Sequence, residues 1–256
     1  MADSDGKRMT IGEHLDELRK RLLVCTFAVL ACGIVAFWRI AEVFAFVRRP
    51  LDSVIDQFEP GTVQLVEFQA YGGFVAGMKL AFFGGAVVAS PVILHQMWAF
   101  VSAGLYRHER RAVKYYAIPG FLLFLGGAYL AYAFVMPYAI EFLMGFSHGQ
   151  LGLNSTLDVN KYVSMIAFAM LVFGLLFQLP VIMVFLMRIG AVEPATFAKY
   201  RRHAVVGSFA LAMVLTPPDV ISQIALAGCM SLLYEAAILV GRGLARPRQA
   251  PPGGEG

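Results

Sequence analysis

Charge is scarce in this chain, and its scarcity argues against a soluble fold. Only 15% of the 256 residues are charged, while 59% are hydrophobic. A soluble domain carries about 25% charged residues. The mean hydropathy of +0.67 points the same way. The composition therefore predicts a protein that places much of its surface in lipid.

Cysteine is also rare, and the chain contains only Cys25, Cys32 and Cys229. Cys25 and Cys32 would be separated by about 10 Å of rise on one helix. A disulfide needs Cα atoms within about 7 Å, so these two cannot pair in place. The sequence excludes a disulfide framework and predicts three small side chains that face lipid or the core.

The sequence lacks the motifs that most enzymes need. It contains no G-x-x-x-x-G-K-[ST] loop for nucleotides, and its five histidines are scattered without metal-ligand spacing. No serine or cysteine lies in a recognisable nucleophile motif. We therefore expect no enzymatic activity, no metal and no cofactor, and we expect no nucleic-acid partner.

Against this background stand six long apolar runs. A stretch of about 18 or more apolar residues can cross a bilayer as a helix, and a helix satisfies its own backbone there. The predicted fold class is all-α: a polytopic membrane protein with six transmembrane helices. The runs are Leu22–Trp38, Phe74–Leu94, Ala117–Ile140, Tyr162–Met187, Ala204–Leu215 and Val220–Val240.

Lysine and arginine crowd into alternate gaps between these runs. If the N-terminus is inside the cell, sixteen of the 21 basic residues fall in inside segments. Four fall outside, namely Arg39, Arg48, Arg49 and Lys161, and Lys79 lies within the second run. The positive-inside rule therefore predicts that both termini are cytoplasmic.

The segments beside the runs have patterns of their own. Thr10–Leu22 starts with a capping-box pattern and continues with leucines at helical spacing, which predicts an amphipathic lead-in continuous with the first membrane helix. The mixed segment Arg39–Gly73 is predicted to be a partly helical cap on the outside. We expect one six-helix domain over 1–242 and a disordered cytoplasmic tail over 243–256.

Prolines and one short run predict bent and short helices. A proline inside a run removes a backbone hydrogen bond and bends the helix, so we expect a concave bundle. Ala204–Leu215 would be only about 18 Å long as a helix, against about 30 Å of hydrocarbon. With the break at Thr216–Asp219, this predicts short fifth and sixth helices. The prolines in question are Pro91, Pro119, Pro137 and Pro180.

Four acidic residues near the predicted cytoplasmic face are candidates for function: Glu13, Asp16, Glu17 and Glu109. In one interpretation they only neutralise the neighbouring lysines and arginines. In the other they bind a cationic peptide, because a carboxylate pairs with a guanidinium in a bidentate fork that an ammonium cannot reproduce. Two such carboxylates could select a pair of arginines over a pair of lysines.

Three blocks of sequence resemble the signatures of the TatC family, the core receptor of twin-arginine protein translocases. The first is His14–Leu22, with the sequence HLDELRKRL. The second lies within Ser90–Arg111 and consists of SPVILHQMWAFV followed by GLYRHERR. The third is Leu215–Gln223, with the sequence LTPPDVISQ. The blocks occur in the family's order, and the resemblance extends over Thr10–Arg242.

The resemblance implies roles for particular residues. Glu17 and Glu109 match the glutamates that bind the twin-arginine motif of signal peptides in the family. The other matched positions are Arg19, Phe100 and Arg111 in the same cytoplasmic surface, Pro50 as a structural residue, and Asp219 and Gln223 at the polar start of the last helix.

The resemblance also implies a place and a set of partners. The family exports folded proteins across the bacterial cytoplasmic (inner) membrane and is driven by the proton-motive force. It acts in an oligomeric complex with the single-span subunits TatA and TatB. We therefore expect twin-arginine signal peptides, TatA- and TatB-like subunits and the lipid bilayer as partners.

Gln178 lies close to the middle of the fourth run, where an unpaired polar side chain is costly. The TatC family usually has a glutamate at the matching position, on the concave face within the membrane. A glutamine forms hydrogen bonds but does not titrate. It either braces the kink at Pro180 or makes a contact that faces the bundle or a partner helix.

Two other functions are compatible with six membrane helices. A small-solute secondary transporter often has internal repeats and ion sites at the midplane. Here no repeat is visible, and the midplane residue Gln178 is uncharged. A purely structural membrane scaffold is the third possibility, and it would be indifferent to the sequence of a signal peptide.

Overall fold

The structure is a computed structural model that describes residues 11–58, 63–103, 116–152, 155–215 and 220–244. We call the end of the bundle where α1 begins the basal end, and the end where the two strands pair the distal end. The elements are α1 (Ile11–Trp38), α2 (Ile40–Ile55), β1 (Val63–Val66), α3 (Gly72–Val88), α4 (Ser90–Ala103), α5 (Ala117–Leu130), a π-helical segment (Ala131–Val135), α6 (Met136–Leu151), β2 (Ser155–Asp158), α7 (Val159–Leu176), α8 (Leu179–Arg188), α9 (Pro194–Lys199), α10 (Arg201–Leu215) and α11 (Val220–Leu244).

Several of these helices are long and apolar enough to cross a membrane. Four of the described stretches qualify by length and composition, and a fifth is added if α3 and α4, which meet at 55°, form one span. The predicted all-α membrane fold is confirmed. The number of six spans stays a prediction, because α10 has only 15 residues, about 22 Å.

The lead-in and the first membrane helix form one continuous element. α1 runs unbroken for 28 residues from Ile11, which confirms the predicted continuity, while Thr10 lies outside the described residues. Leu15 and Leu22 on the lead-in are 59% and 63% exposed. Their side chains are therefore placed to meet lipid or another chain rather than the bundle core.

α1 and α3 cross so closely that their backbones touch at two glycines. A Cβ built on Gly85 would lie 2.6 Å from the backbone nitrogen of Gly33 and 2.9 Å from the carbonyl oxygen of Val29. No side chain fits in that space, so the crossing requires glycine at position 85. Close approach at small residues is a common way for membrane helices to pack.

Three of the four prolines stand beside an irregularity in a helix. The angle of 55° between α3 and α4 lies beside Pro91. The π-helical segment is followed directly by α6, with Pro137 in its first turn. The junction of α7 and α8 lies beside Pro180. Pro119 instead lies in the first turn of α5, where a missing N–H costs no helical bond and bends nothing.

α2 continues through Pro50, and a tyrosine hydroxyl replaces the hydrogen bond that the proline removes. Proline has no N–H, so the carbonyl of Phe46, four residues earlier, loses its helical donor. The Tyr132 hydroxyl donates to Phe46 O at 2.7 Å, and the Tyr162 hydroxyl donates to Val47 O at 2.6 Å. These bonds join α2 to the π-helical segment and to α7, so the proline helps to fix where α2 packs.

A small parallel sheet lies at the distal end. β1 pairs with β2 over four residues, with Val63 opposite Ser155. Asp158 caps α7 by accepting a hydrogen bond from the backbone N–H of Asn160 at 2.7 Å. The segment Arg39–Gly73, predicted to be partly helical, thus contains both α2 and an unpredicted strand.

The fifth and sixth helices differ in length. α10, with 15 residues, is short as predicted. α11 has 25 residues, about 37 Å, and is longer than the short sixth helix predicted from its apolar run. The run ends at Val240, but the helix continues past Arg242, whose long side chain can reach toward water while its stem stays in lipid. Residues 216–219 between the two helices lie outside the described residues.

Candidate functional site

The lead-in of α1 packs against α4 at the basal end through a ring stack and a hydrogen bond. The rings of His14 and Phe100 are stacked, with centroids 4.4 Å apart and planes 22° apart. Arg21 Nη1 donates to Gln96 Oε1 at 2.9 Å. Together with Glu17, these four residues form what we call the α1–α4 cluster.

Glu17 is the acidic member of the α1–α4 cluster. Its side chain is 19% exposed, and that of Arg21 is 24% exposed. Arg21 Nε donates to Glu17 Oε1 at 3.0 Å, and Arg21 Nη2 donates to the same oxygen. Glu17 Oε2 is buried and accepts no hydrogen bond from the described part of the chain. One oxygen of this carboxylate is therefore paired, and the other is buried without a partner among the described residues.

Of the other residues predicted for this surface, the structure describes Arg19 and Phe100 but not Glu109 and Arg111. Arg19 is exposed on α1, and Phe100 is half-buried on α4. Glu109 and Arg111 lie outside the described residues, so their proximity to Glu17 stays a prediction. Of the predicted set, the structure brings Glu17 and Phe100 into one cluster.

Three members of the α1–α4 cluster are not among the predicted site residues: His14, Arg21 and Gln96. The spacing of Glu17 and Arg21, four apart on a helix, could have indicated their ion pair. Gln96 stands 75 positions from Arg21, so no local pattern connects them. Only the packing of α4 on α1 brings the amide to the guanidinium.

A second polar group lies inside the bundle at the junction of α7 and α8. Gln178 is 1% exposed, and its Nε2 donates to Gly120 O in α5 at 2.8 Å. A Cβ on Gly120 would stand 3.0 Å from Gln178 Oε1 and 3.4 Å from Trp98 Nε1. Both of these atoms are buried without a hydrogen-bond partner among the described residues. A buried acceptor and a buried donor thus lie beside the same glycine.

Aromatic side chains pack around Trp98. Its ring stacks on Tyr116 at 5.7 Å and meets the edge of Phe185 at 5.1 Å, measured between centroids. Burial raises the pKa of the Tyr116 hydroxyl above its ordinary value, and the nearby Arg188 guanidinium opposes that rise. Apolar surroundings of this kind raise the free-energy cost of burying an unpaired polar atom such as Gln178 Oε1.

Gln223 and Pro50 lie away from the α1–α4 cluster. Gln223 is half-buried near the start of α11. Asp219 lies outside the described residues. Pro50 is buried in α2, which follows the distal end of α1, whereas Glu17 lies near its basal end. The structure therefore brings neither Gln223 nor Pro50 into the α1–α4 cluster.

The described residues offer no evident metal site. Within the described ranges, no group of three or more His, Cys, Asp or Glu side chains could hold a metal ion. The three cysteines, Cys25, Cys32 and Cys229, are free thiols. What the basal end does offer is ion pairing and hydrogen bonding in the α1–α4 cluster.

The sequence is similar to those of known translocase proteins. The model of the TatC family, Sec-independent protein translocase protein, matches residues 13–228. The chain is 34% identical over 242 residues to Sec-independent protein translocase protein TatCy of Bacillus subtilis, covering 94% of this chain and 92% of that protein. It is 36% identical over 229 residues to Sec-independent protein translocase protein TatC of Escherichia coli K12, covering 90% and 86%.

The fold is similar to a solved structure as well. A crystal structure of a twin-arginine translocase receptor, TatC, aligns with a TM-score of 0.77 and 32% sequence identity. The alignment covers 91% of this chain and 100% of that one. Sequence similarity and fold similarity each cover most of the chain. The chain therefore belongs to the TatC family of Sec-independent protein translocase proteins, a family of multi-pass membrane proteins that transport proteins.

Proposed function

We propose that this chain is the receptor subunit of a twin-arginine translocation system and that the α1–α4 cluster binds an arginine of the signal peptide. The observation that carries the proposal is Glu17, a partly buried carboxylate with one oxygen unpaired among the described residues. An ion pair that is partly removed from water is stronger than one on the open surface. The solved relative is itself a twin-arginine translocase receptor, which supports the same role here.

The chemistry of the two side chains accounts for the choice of arginine. A guanidinium is planar and presents its donors in a fixed fork that matches the two oxygens of a carboxylate. A lysine ammonium is a compact, strongly hydrated charge and gains less from the same carboxylate. In this proposal Glu109 binds the second arginine, Phe100 offers an aromatic face, and Arg19 and Arg111 belong to the same surface.

The rest of the transport cycle is proposed from the position of the cluster. Both termini and the α1–α4 cluster lie on the cytoplasmic side of the bacterial inner membrane. The apolar part of the signal enters the bundle toward Gln178. TatA- and TatB-like single-span subunits join in an oligomeric complex, with Asp219 and Gln223 at a contact.

The driving force in this proposal comes from outside the chain. The chain is not an enzyme, and folded cargo crosses by use of the proton-motive force. The membrane potential offers about 2.3 kcal/mol per elementary charge per 100 mV.

Photocrosslinking tests the proposal. A twin-arginine signal peptide carrying a photoreactive group is mixed with membranes that contain the protein. Glu17→Gln and Glu109→Gln keep the shape of each side chain and remove its charge, so each is expected to lower crosslinking by about tenfold. Asp16→Asn is the matched control, because Asp16 is exposed and next to Glu17. It is expected to leave crosslinking near the wild-type yield.

Insertion of each variant is followed in parallel by protease protection, so that lost protein is not mistaken for lost binding. Unchanged crosslinking in the double variant Glu17→Gln/Glu109→Gln would remove the receptor proposal. If Asp16→Asn lowers the crosslinking yield as much as Glu17→Gln does, the effect is one of general charge and not of a binding site.

A further inference from the structure

We propose that Arg21 is an internal competitor that occupies the Glu17 carboxylate until a signal-peptide guanidinium displaces it. The inference rests on the proposed function and adds a residue that limits the affinity of the receptor. Arg21 is itself an arginine, and it makes with Glu17 the same kind of contact that the incoming arginine needs. Arg21 therefore occupies Glu17 in the way that an arginine of the signal peptide would.

The arrangement of the two oxygens makes the two arginines compete. Arg21 directs both Nε and Nη2 to Glu17 Oε1 and leaves Oε2 unpaired. A bidentate fork from a second guanidinium needs both oxygens at once. The incoming arginine can therefore form its full contact with Glu17 only after Arg21 has left Oε1.

After Arg21 leaves the Glu17 carboxylate, its side chain still has a second acceptor in Gln96. Its Nη1 already donates to Gln96 Oε1 at 2.9 Å, on α4 rather than on α1. Glu17 and Arg21 stand four apart on one helix, and pairs of this kind are weak when exposed. Since both side chains are partly buried, we expect a moderately stronger pair that lowers the apparent affinity for a signal by about fivefold.

A competitor of this kind has a definite thermodynamic signature. It reduces the fraction of receptor in which Glu17 Oε1 is free, and this lowers the affinity of a ligand that needs both oxygens. Removal of Arg21 should therefore tighten a twin-arginine peptide more than a twin-lysine peptide, because a lysine ammonium can pair with Oε2 alone. The ratio of the arginine-peptide affinity to the lysine-peptide affinity should therefore rise.

The experiment measures peptide affinity with the purified full-length protein in lipid nanodiscs. Wild type, Arg21→Gln and Lys20→Gln are each titrated with a fluorescent twin-arginine signal peptide and with its twin-lysine form. Lys20 is the matched control, because it is an exposed neighbour whose loss changes the net charge equally. Relative to Lys20→Gln, Arg21→Gln is expected to bind the twin-arginine peptide about fivefold more tightly and the twin-lysine peptide by a smaller factor.

Two results would overturn the inference. Weaker binding by Arg21→Gln than by Lys20→Gln would make Arg21 a support for Glu17 and not a competitor. Equal binding of the twin-arginine peptide by the two variants would mean that the Glu17–Arg21 pair does not limit access to the carboxylate.

If Arg21→Gln does not fold, Arg21→Lys takes its place, because an ammonium cannot place two nitrogens on Oε1. That variant is expected to bind about twofold more tightly than wild type, and unchanged or weaker binding contradicts the inference.

A further variant separates this inference from the proposed function. Glu17→Gln should lose affinity for the twin-arginine peptide if Glu17 is its acceptor. If Glu17→Gln binds like wild type, the receptor proposal fails at this residue. If Glu17→Gln loses affinity while Arg21→Gln gains none, the receptor proposal stands and only the competitor is rejected.

Discussion

At the scale of single residues, Gln178 is one of the described positions where a polar atom is buried without a hydrogen-bond partner. Its Nε2 has a partner in Gly120 O, but its Oε1 is buried without one among the described residues. A buried acceptor without a donor costs about 1–3 kcal/mol, more than one neutral hydrogen bond returns. The fold alone therefore gives little reason for an amide at this position, which is consistent with a role in the bundle interior during transport.

Replacing Gln178 by methionine is predicted to leave the protein as stable as wild type or more stable, by up to about 1 kcal/mol. The change removes the unpaired Oε1 and keeps a similar side-chain volume. Thermal unfolding in detergent measures it, with Gln57→Met, at an exposed amide, as the control for a general effect of methionine. A loss of more than 2 kcal/mol for Gln178→Met would mean that both ends of the amide stabilise the fold.

The sequence could identify Glu17 and Phe100 because they lie in blocks with a recognisable spacing. It could not identify His14 and Gln96 as their neighbours, because the stack on Phe100 and the bond to Arg21 arise from the packing of two helices. For Gln178, the sequence located a polar residue in an apolar run but not its acceptor, a backbone carbonyl of another helix.

At the scale of elements, the contact of α2 with the bundle depends on a carbonyl that Pro50 leaves without a donor. Tyr132→Phe is predicted to destabilise the protein by about 1 kcal/mol, because Phe46 O then loses its side-chain donor. In a Pro50→Ala background residue 50 regains an N–H that can donate to Phe46 O. The cost of Tyr132→Phe should therefore fall by half or more in that background.

A double-mutant cycle of thermal unfolding measures this coupling between position 50 and Tyr132. Tyr162→Phe is the control, because its hydroxyl bonds to Val47 O, whose helical donor would be residue 51. Its cost should change less when Pro50 is replaced. Equal costs of Tyr132→Phe in the two backgrounds would show that the hydroxyl does not substitute for the missing N–H.

The crossing of α1 and α3 gives a second prediction at this scale. Gly85→Ala should destabilise the protein by about 1–3 kcal/mol, because the added Cβ would meet the backbone of Gly33 at 2.6 Å. Gly84→Ala is the matched control. Its Cβ would stand 3.8 Å from the nearest atom, on Val43, which is ordinary contact. Equal effects of the two substitutions on the unfolding temperature would contradict the proposed close crossing.

The apolar runs predicted the helices well because burial in lipid demands about 20 apolar residues in succession. They did not predict β1 and β2, because four-residue strands are too short for a pattern and their partners are far apart in the chain. They also set the end of α11 too early, since a helix continues past its apolar part as long as its backbone bonds do.

At the scale of the whole molecule, the distribution of basic residues predicts the orientation in the membrane. In a variant without Cys25, Cys32 and Cys229, a single cysteine is placed at His148 near the distal end or at Lys199 near the basal end. Both positions are exposed. In intact cells with a permeable outer membrane, an impermeant maleimide should label position 148, and position 199 only after the inner membrane is opened. Labelling in the opposite order would show that the orientation is the reverse of the predicted one.

The proposed receptor must distinguish guanidinium from ammonium, and one affinity measurement tests this most directly. Purified wild-type protein in nanodiscs is titrated with a signal peptide that has two arginines and with the same peptide after both are changed to lysine. We predict that the arginine peptide binds about tenfold more tightly, and that the difference disappears in Glu17→Gln/Glu109→Gln. Equal affinities of the wild-type protein for the two peptides would contradict the account.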